Sequence, residues 1–123
     1  MKLIDNLFSI ASCESSDSSI ACEITLDSTH FIYAAHFPGN PITPGVCIVQ
    51  IAQEILEQHT GSSLTLKVLN NIKFMQVLSP TDTTSVQYRI DISRPEENTI
   101  KIKAAVSNAG VIYSKFTATY SQS

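Results

Sequence analysis

A single stretch of this chain can form a long helix, and it must serve every strand around it. Val46 to Gln58 carries good helix formers and no breaker, and it stops before Thr60-Gly61, a C-terminal signal. Beyond Gly61 the period drops to two. Val86, Tyr88, Ile90 and Ile92 alternate with polar residues, as do Ile100, Ile102, Ala104 and Val106, the pattern of strands with one buried face. Strands are predicted at about 63–70, 72–78, 83–94, 98–107 and 111–120. Asn108-Ala109-Gly110 joins the last two as a hairpin, and a slip of phase between Tyr113 and Phe116 marks a bulge. Ile20, Cys22, Ile24 and Leu26 add an earlier strand at about 19–27. Such a sheet needs a cover for its apolar face, and only the one helix is long enough to supply it. The predicted class is α+β, a curved antiparallel sheet wrapped around one long central helix.

The remaining segments are short. Leu3, Ile4, Leu7 and Phe8 fall at helical spacing and predict a short amphipathic helix, with Asp5 and Asn6 breaking the apolar run well before signal-peptide length. Ser12 to Ser19 reads as a polar loop. With 123 residues, 43% hydrophobic and 15% charged, the chain has the size and composition of one globular domain spanning 1–123. A formal charge of −3 without a Lys/Arg cluster argues against nucleic acid, whose phosphates demand a basic field. Nothing approaches the ~20 apolar residues of a membrane span, and the expected setting is the cytoplasm. Cys13, Cys22 and Cys47 are odd in number and lack a Cys-x-x-Cys pair, so they read as reduced, structural residues. Asp82, Asp91, Glu96 and Glu97 lack metal-ligand organisation, and no metal or cofactor is expected.

The densest information lies between His36 and Gly45. His36-Phe37-Pro38-Gly39-Asn40-Pro41-Ile42-Thr43-Pro44-Gly45 holds three prolines and two glycines, which fix an irregular loop. Thr43 is placed to cap the helix, with Pro44 at its first position, where a missing N–H costs nothing. The Gly45 N–H is then free at the positive end of the helix, and the lack of a side chain lets a carbonyl oxygen come close. Charge developing on such an oxygen is stabilised there as in an oxyanion hole. His36, an imidazole with an ordinary pKa of about 6.5, suits proton transfer near neutrality. On pattern alone a single histidine is more often a hydrogen-bonded structural residue, and His30 and His59 are read as structural or exposed. Gln50, Gln53, Glu54 and Glu57, at i, i+3, i+4 and i+7, read as a solvated stripe. Val46, Cys47, Ile48, Val49, Ile51, Ala52, Ile55 and Leu56 supply the core-facing side.

The run His36-Phe37-Pro38-Gly39-x-Pro41-Ile42-x-Pro44-Gly45-Val46 resembles the signature loop of the FabZ/FabA-type beta-hydroxyacyl-acyl-carrier-protein dehydratases, hotdog proteins that remove water from 3-hydroxyacyl thioesters. Phe74 followed by Pro80 and Asp82 is similar to that family's strand and turn after the helix. The resemblance implies a hotdog fold and a homodimer or higher homo-oligomer with sites built between subunits. It places His36 on the catalytic histidine and Gly45 on the glycine whose N–H holds the thioester carbonyl. Phe37, Pro38, Gly39, Pro44 and Val46 then surround the substrate. The family's third group is a Glu or Asp fourteen residues after the histidine, reaching in from the partner subunit; here that position is Gln50. A carboxamide can hold a hydroxyl or a water but cannot supply a proton. His36 is therefore expected to make both proton transfers, with Glu54, one turn further along, as an additional substrate-side group.

The implied activity is conversion of a 3-hydroxyacyl thioester to a 2-enoyl thioester in fatty acid or related acyl-chain synthesis. The substrate would be carried on acyl carrier protein, with Lys73 beside Phe74 and Lys67, Arg89 and Arg94 as cations for an acidic carrier. The residues leave two other readings open: a non-catalytic hotdog partner or acyl-binding subunit, and a hotdog acyl thioesterase.

Overall fold

The computed structural model of the chain describes residues 2–35 and 39–122. Six strands form one antiparallel sheet: β1 (Phe8–Ser15), β2 (Ser19–Leu26), β3 (Leu64–Phe74), β4 (Ser85–Glu96), β5 (Thr99–Asn108) and β6 (Val111–Gln122), in the spatial order β1-β2-β4-β5-β6-β3. Helices α1 (Phe31–Ala35) and α2 (Gly45–Thr60) come between β2 and β3 in the chain.

The alternation sorts the faces as expected. Ile20, Cys22, Ile24 and Leu26 of β2, Val86 to Ile92 of β4 and Ile100 to Val106 of β5 bury every second residue. With Phe116, Ala118 and Tyr120 of β6 they share one core with Ile48, Ile51, Ala52, Ile55 and Leu56 of α2. Each such aliphatic side chain removed from water contributes about 1.5–3 kcal/mol. The fully buried Tyr88 donates its hydroxyl to the Ile48 carbonyl at 2.9 Å, pinning the helix to the sheet.

The β5–β6 turn has Ala109 at φ 51° and Gly110 at φ 82°, the positive pair that a two-residue hairpin requires. Val106 pairs with Ser114 and Ser107 with Ile112, so Tyr113 is the extra residue of a bulge. The bulge returns Ser114, Phe116, Ala118 and Tyr120 to the buried face. It also frees the Tyr113 carbonyl to accept the N–H groups of Met75 and Gln76, just where β3 ends.

Other expectations are corrected. The N-terminal segment is not a helix: the Leu3 carbonyl accepts from Asn6, Leu7 and Phe8, and Asp5 sits at φ 59°. This single closed turn still buries Leu3, Leu7 and Phe8, but it is too short to propagate. Ser12–Ser19 is not a loop, because β1 runs to Ser15 and pairs with β2. As an edge strand, β1 is exposed on both faces over most of its length and shows no alternation. Cys13 and Cys22 lie directly opposite each other in this pair and are joined by a disulfide, whereas Cys47 is free and buried. The strands predicted at 63–70 and 72–78 are one strand, β3, with a bulge near Asn71, whose φ is 54°. Among the described residues no helix is long and apolar enough to cross a membrane.

Candidate active site at the head of the central helix

Helix α2 starts at Gly45, and its N-cap is Pro44, with no side-chain capping bond. Thr43, expected in that role, turns away: its buried hydroxyl pairs with that of Tyr33 at 3.0 Å, and its N–H donates to the Leu78 carbonyl at 2.8 Å. The Pro44 carbonyl takes the N–H groups of Cys47 and Ile48. The N–H groups of Gly45 and Val46 are left without an acceptor among the described residues, at the positive end of a 16-residue helix.

Beside them lies a groove of about 380 Å³, walled by Ile42 to Gly45, Ile48 and the segment from Phe74 to Leu78. The Phe74 ring lies against Gly45, where an added methyl group would come within 2.7 Å of its Cζ. The space freed by the missing side chain is thus taken by an aromatic ring rather than left open for a ligand. Val46 is 77% exposed, so it forms rim and not core, contrary to its place in the predicted apolar face. Behind the helix head, burial pushes the Tyr33 and Tyr88 hydroxyls and the Cys47 thiol up from their ordinary values. All three stay neutral near pH 7 and form an uncharged wall.

Gln50 is half-buried one turn beyond Val46, and its Nε2 donates to Glu54 Oε2 at 2.9 Å. Glu54 is only 1% exposed, neither in a solvated stripe nor free for a substrate. Its Oε1 accepts the N–H groups of Leu3 and Ile4 at 2.9 and 2.8 Å, and its Oε2 also accepts from Leu3 at 2.8 Å. Gln53 donates to the Leu64 carbonyl, and Glu57 accepts from the Leu64 N–H and the Lys2 ammonium. The stripe is a seam that fastens the N-terminal turn and the start of β3 to the helix. Its spacing is helical, but its partners come from distant sequence.

His36, Phe37 and Pro38 lie outside the described residues. Gly39, which follows them, adopts φ 85°, a conformation that favours glycine. His30 is buried and accepts the Ile32 N–H on Nδ1 at 3.1 Å while stacking on Phe31, the structural role expected of it.

Sequence reasoning missed the wall from Met75 to Leu78, and of the cations that share one hollow it named Lys73 and Arg89 but not Lys103 and Lys115. Lys73, Arg89, Lys103 and Lys115 line a recess of about 390 Å³ on the solvent side of the sheet, with Asp91 among them 3.8 Å from Arg89. Strand register assembles it, setting Lys73 opposite Lys115 and Lys103 opposite Asp91. Lys67 and Arg94, expected alongside, do not line it. Among the described residues no group of three or more His, Cys, Asp or Glu gathers as for a metal ion.

Comparison with known proteins agrees with this architecture. Residues 12–115 match the ApeI-like family, described as ApeI dehydratase. The 3-hydroxyacyl-[acyl-carrier-protein] dehydratase FabZ of Levilactobacillus brevis is 31% identical over 118 aligned positions, covering 86% of this chain and 80% of that protein. FabZ of Lactobacillus helveticus is 28% identical over 120 positions, covering 88% and 81%. Among solved structures, a chain of the dehydratase heterocomplex ApeI:P from Xenorhabdus doucetiae superposes with a TM-score of 0.72 at 15% identity, covering 91% of this chain and 96% of that one. A hypothetical thioesterase with coenzyme A from Streptococcus pneumoniae superposes with a TM-score of 0.67 at 12% identity, covering 98% and 91%. At those identities the structures speak for the fold alone, an α+β hotdog. On its sequence match and its fold together, the chain belongs to the ApeI-like, FabZ-related family of hotdog dehydratases.

Proposed function

We propose that this chain is a hydro-lyase that converts 3-hydroxyacyl thioesters, delivered on acyl carrier protein, to 2-enoyl thioesters. The observation that carries this reading is the helix head: a Gly45 N–H without an acceptor among the described residues, beside a groove, in a chain of a dehydratase family. The thioester carbonyl docks on that N–H, which holds the negative charge that develops as His36 takes the α-proton. The electron pair of the broken C–H bond forms the double bond, and the 3-hydroxyl departs with the proton returned by His36, as water. Gln50 holds the departing hydroxyl, and Phe37, Pro38, Gly39, Pro44 and Val46 shape the mouth.

The reading places a homodimer on β3. Among the described residues the strand pairs on one side only, with β6, and it carries exposed Leu66, Val68 and Ile72. A second copy on this edge gives the arrangement the family implies, with Gln50 reaching the site from the partner subunit. The cations around Lys73, Arg89, Lys103 and Lys115 suit an acidic carrier. We place the chain in the cytoplasm; the Cys13–Cys22 bridge is the feature that an oxidising compartment would favour instead.

A second reading is favoured by Gln50 itself: a partner subunit whose missing carboxyl is supplied by another hotdog chain. The Xenorhabdus relative was solved as a dehydratase heterocomplex, which gives this reading a precedent. The test is to incubate the purified chain with a short 3-hydroxyacyl pantetheine thioester and follow enoyl absorbance and free thiol. Enoyl product without thiol is expected. Thiol release would replace the proposal with a thioesterase, and silence in both, cured by a second hotdog subunit, would replace it with the partner role.

A further inference from the structure

We infer that Glu54 is a positioning residue that turns the Gln50 carboxamide so that its carbonyl oxygen faces the substrate, making the site select a 3-hydroxyl over a 3-oxo group. The inference rests on the site described above and concerns two side chains whose contact is defined: Gln50 Nε2 to Glu54 Oε2 at 2.9 Å. Glu54 is buried, and the groups hydrogen-bonded to it are all donors, namely the N–H groups of Leu3 and Ile4 and the Gln50 amide. An acceptor-only neighbour leaves Gln50 no choice but to present its NH₂ inward. Gln50 Oε1 has no partner among the described residues, and Gln50 is only half-buried, so its carboxamide can meet a ligand at the helix surface. An oxygen that can only accept pairs with a hydroxyl, which donates, and repels a ketone oxygen, which cannot. The contact that clamps the N-terminal turn thereby also sets the hydrogen-bond polarity at the 3-position.

Glu54→Gln separates the two roles. Ile4 reaches only Oε1, Leu3 reaches either oxygen and the Gln50 amide can turn, so an amide introduced at position 54 keeps its oxygen at the Oε1 position and places its NH₂ where Oε2 was. Two NH₂ groups cannot face each other. Gln50 must flip, and its NH₂ then points outward and favours a 3-oxo group.

The measurement is calorimetric binding of 3-hydroxybutyryl and acetoacetyl pantetheine thioesters in a His36→Ala background, which keeps the ligands intact. The parent should favour the hydroxyl ligand by about 10-fold or more, and Glu54→Gln should erase or reverse that preference. A merely structural Glu54 would weaken both ligands alike, and an unchanged ratio overturns the inference. If neither thioester binds the parent, the thioester reading itself fails and takes the inference with it. Should Glu54→Gln not fold, solvent exchange of the Gln50 side-chain NH₂ in the unmodified chain decides instead. It should be slower than that of the exposed Gln58 and Gln87; equal rates refute the contact.

Discussion

Replacing Gln50 by Glu sets a second carboxyl in the 2.9 Å contact with Glu54. Two full charges at that distance repel by about 6 kcal/mol at an effective dielectric near 20, and the half-exposed position of residue 50 lowers this to roughly 3–6 kcal/mol. At ~1.4 kcal/mol per pH unit, the pair holds its last proton about 2–4 units above the ordinary carboxyl value of ~4.3, between about pH 6 and 8. A protonated carboxyl near neutrality is the general acid that the amide cannot be. Dehydration by Gln50→Glu is therefore expected to exceed that of the parent below this raised pKa and to fall as pH climbs through it. The stability sign follows from the same shift. The folded variant binds the proton more tightly than the unfolded chain, so its stability is fully present below about pH 4 and lost as pH rises through 6–8. Carboxyl ¹³C titration and melting at several pH values read both effects. Ordinary values for both carboxyls, with a pH-independent stability difference from the parent, would refute the reasoning.

Other outcomes follow from the same geometry. Gly45→Ala drives a methyl group into the Phe74 ring, which is half-exposed and can swing aside; stability should fall by less than about 1 kcal/mol while kcat/KM drops about 10-fold, and adding Phe74→Ala should recover part of that loss. Titration of the denatured, oxidised chain should find one thiol, Cys47, and three after reduction; reduction of the bridge, which spans a separation of 9, should cost about 2–3 kcal/mol in chemical denaturation. Burial alone would raise the Glu57 carboxyl, but the Leu64 N–H and Lys2 outweigh it and hold it below its ordinary 4.5. Its stabilisation is present above that value and disappears as pH falls through the lowered one, so Glu57→Gln should cost about 1 kcal/mol at pH 7 and nothing near pH 2.

The sheet centre was legible because its strands have one buried face, which writes period two directly into the residues, and the helix because 46–58 holds good helix formers and no breaker. The β1 edge carried no such mark: Ser9 to Ser15 meets solvent on both sides, and its identity as a strand comes from pairing with β2. The Gln50–Glu57 stripe looked solvated since spacing reports which residues share a face, and nothing local reports that Leu3 and Leu64 lie opposite. Thr43 obeyed the capping rule in sequence and was claimed instead by Tyr33 in space. The cations at 73, 89, 103 and 115 are dispersed along the chain and meet only through strand register. The Pro-Gly step marked where the helix starts, and the Gly45 N–H has no acceptor among the described residues, but the Thr43 cap expected to leave it so does not form, and the Phe74 ring fills the space at the glycine.

The most direct test of the chemistry is deuterium wash-in. In D₂O, the purified chain incubated with a saturated acyl pantetheine thioester should exchange the α-protons, a mass gain that disappears in His36→Ala, even if Gln50 makes water loss slow. No exchange by the parent, or exchange untouched by the His36→Ala change, would contradict proton abstraction by His36 from a thioester held on the Gly45 amide.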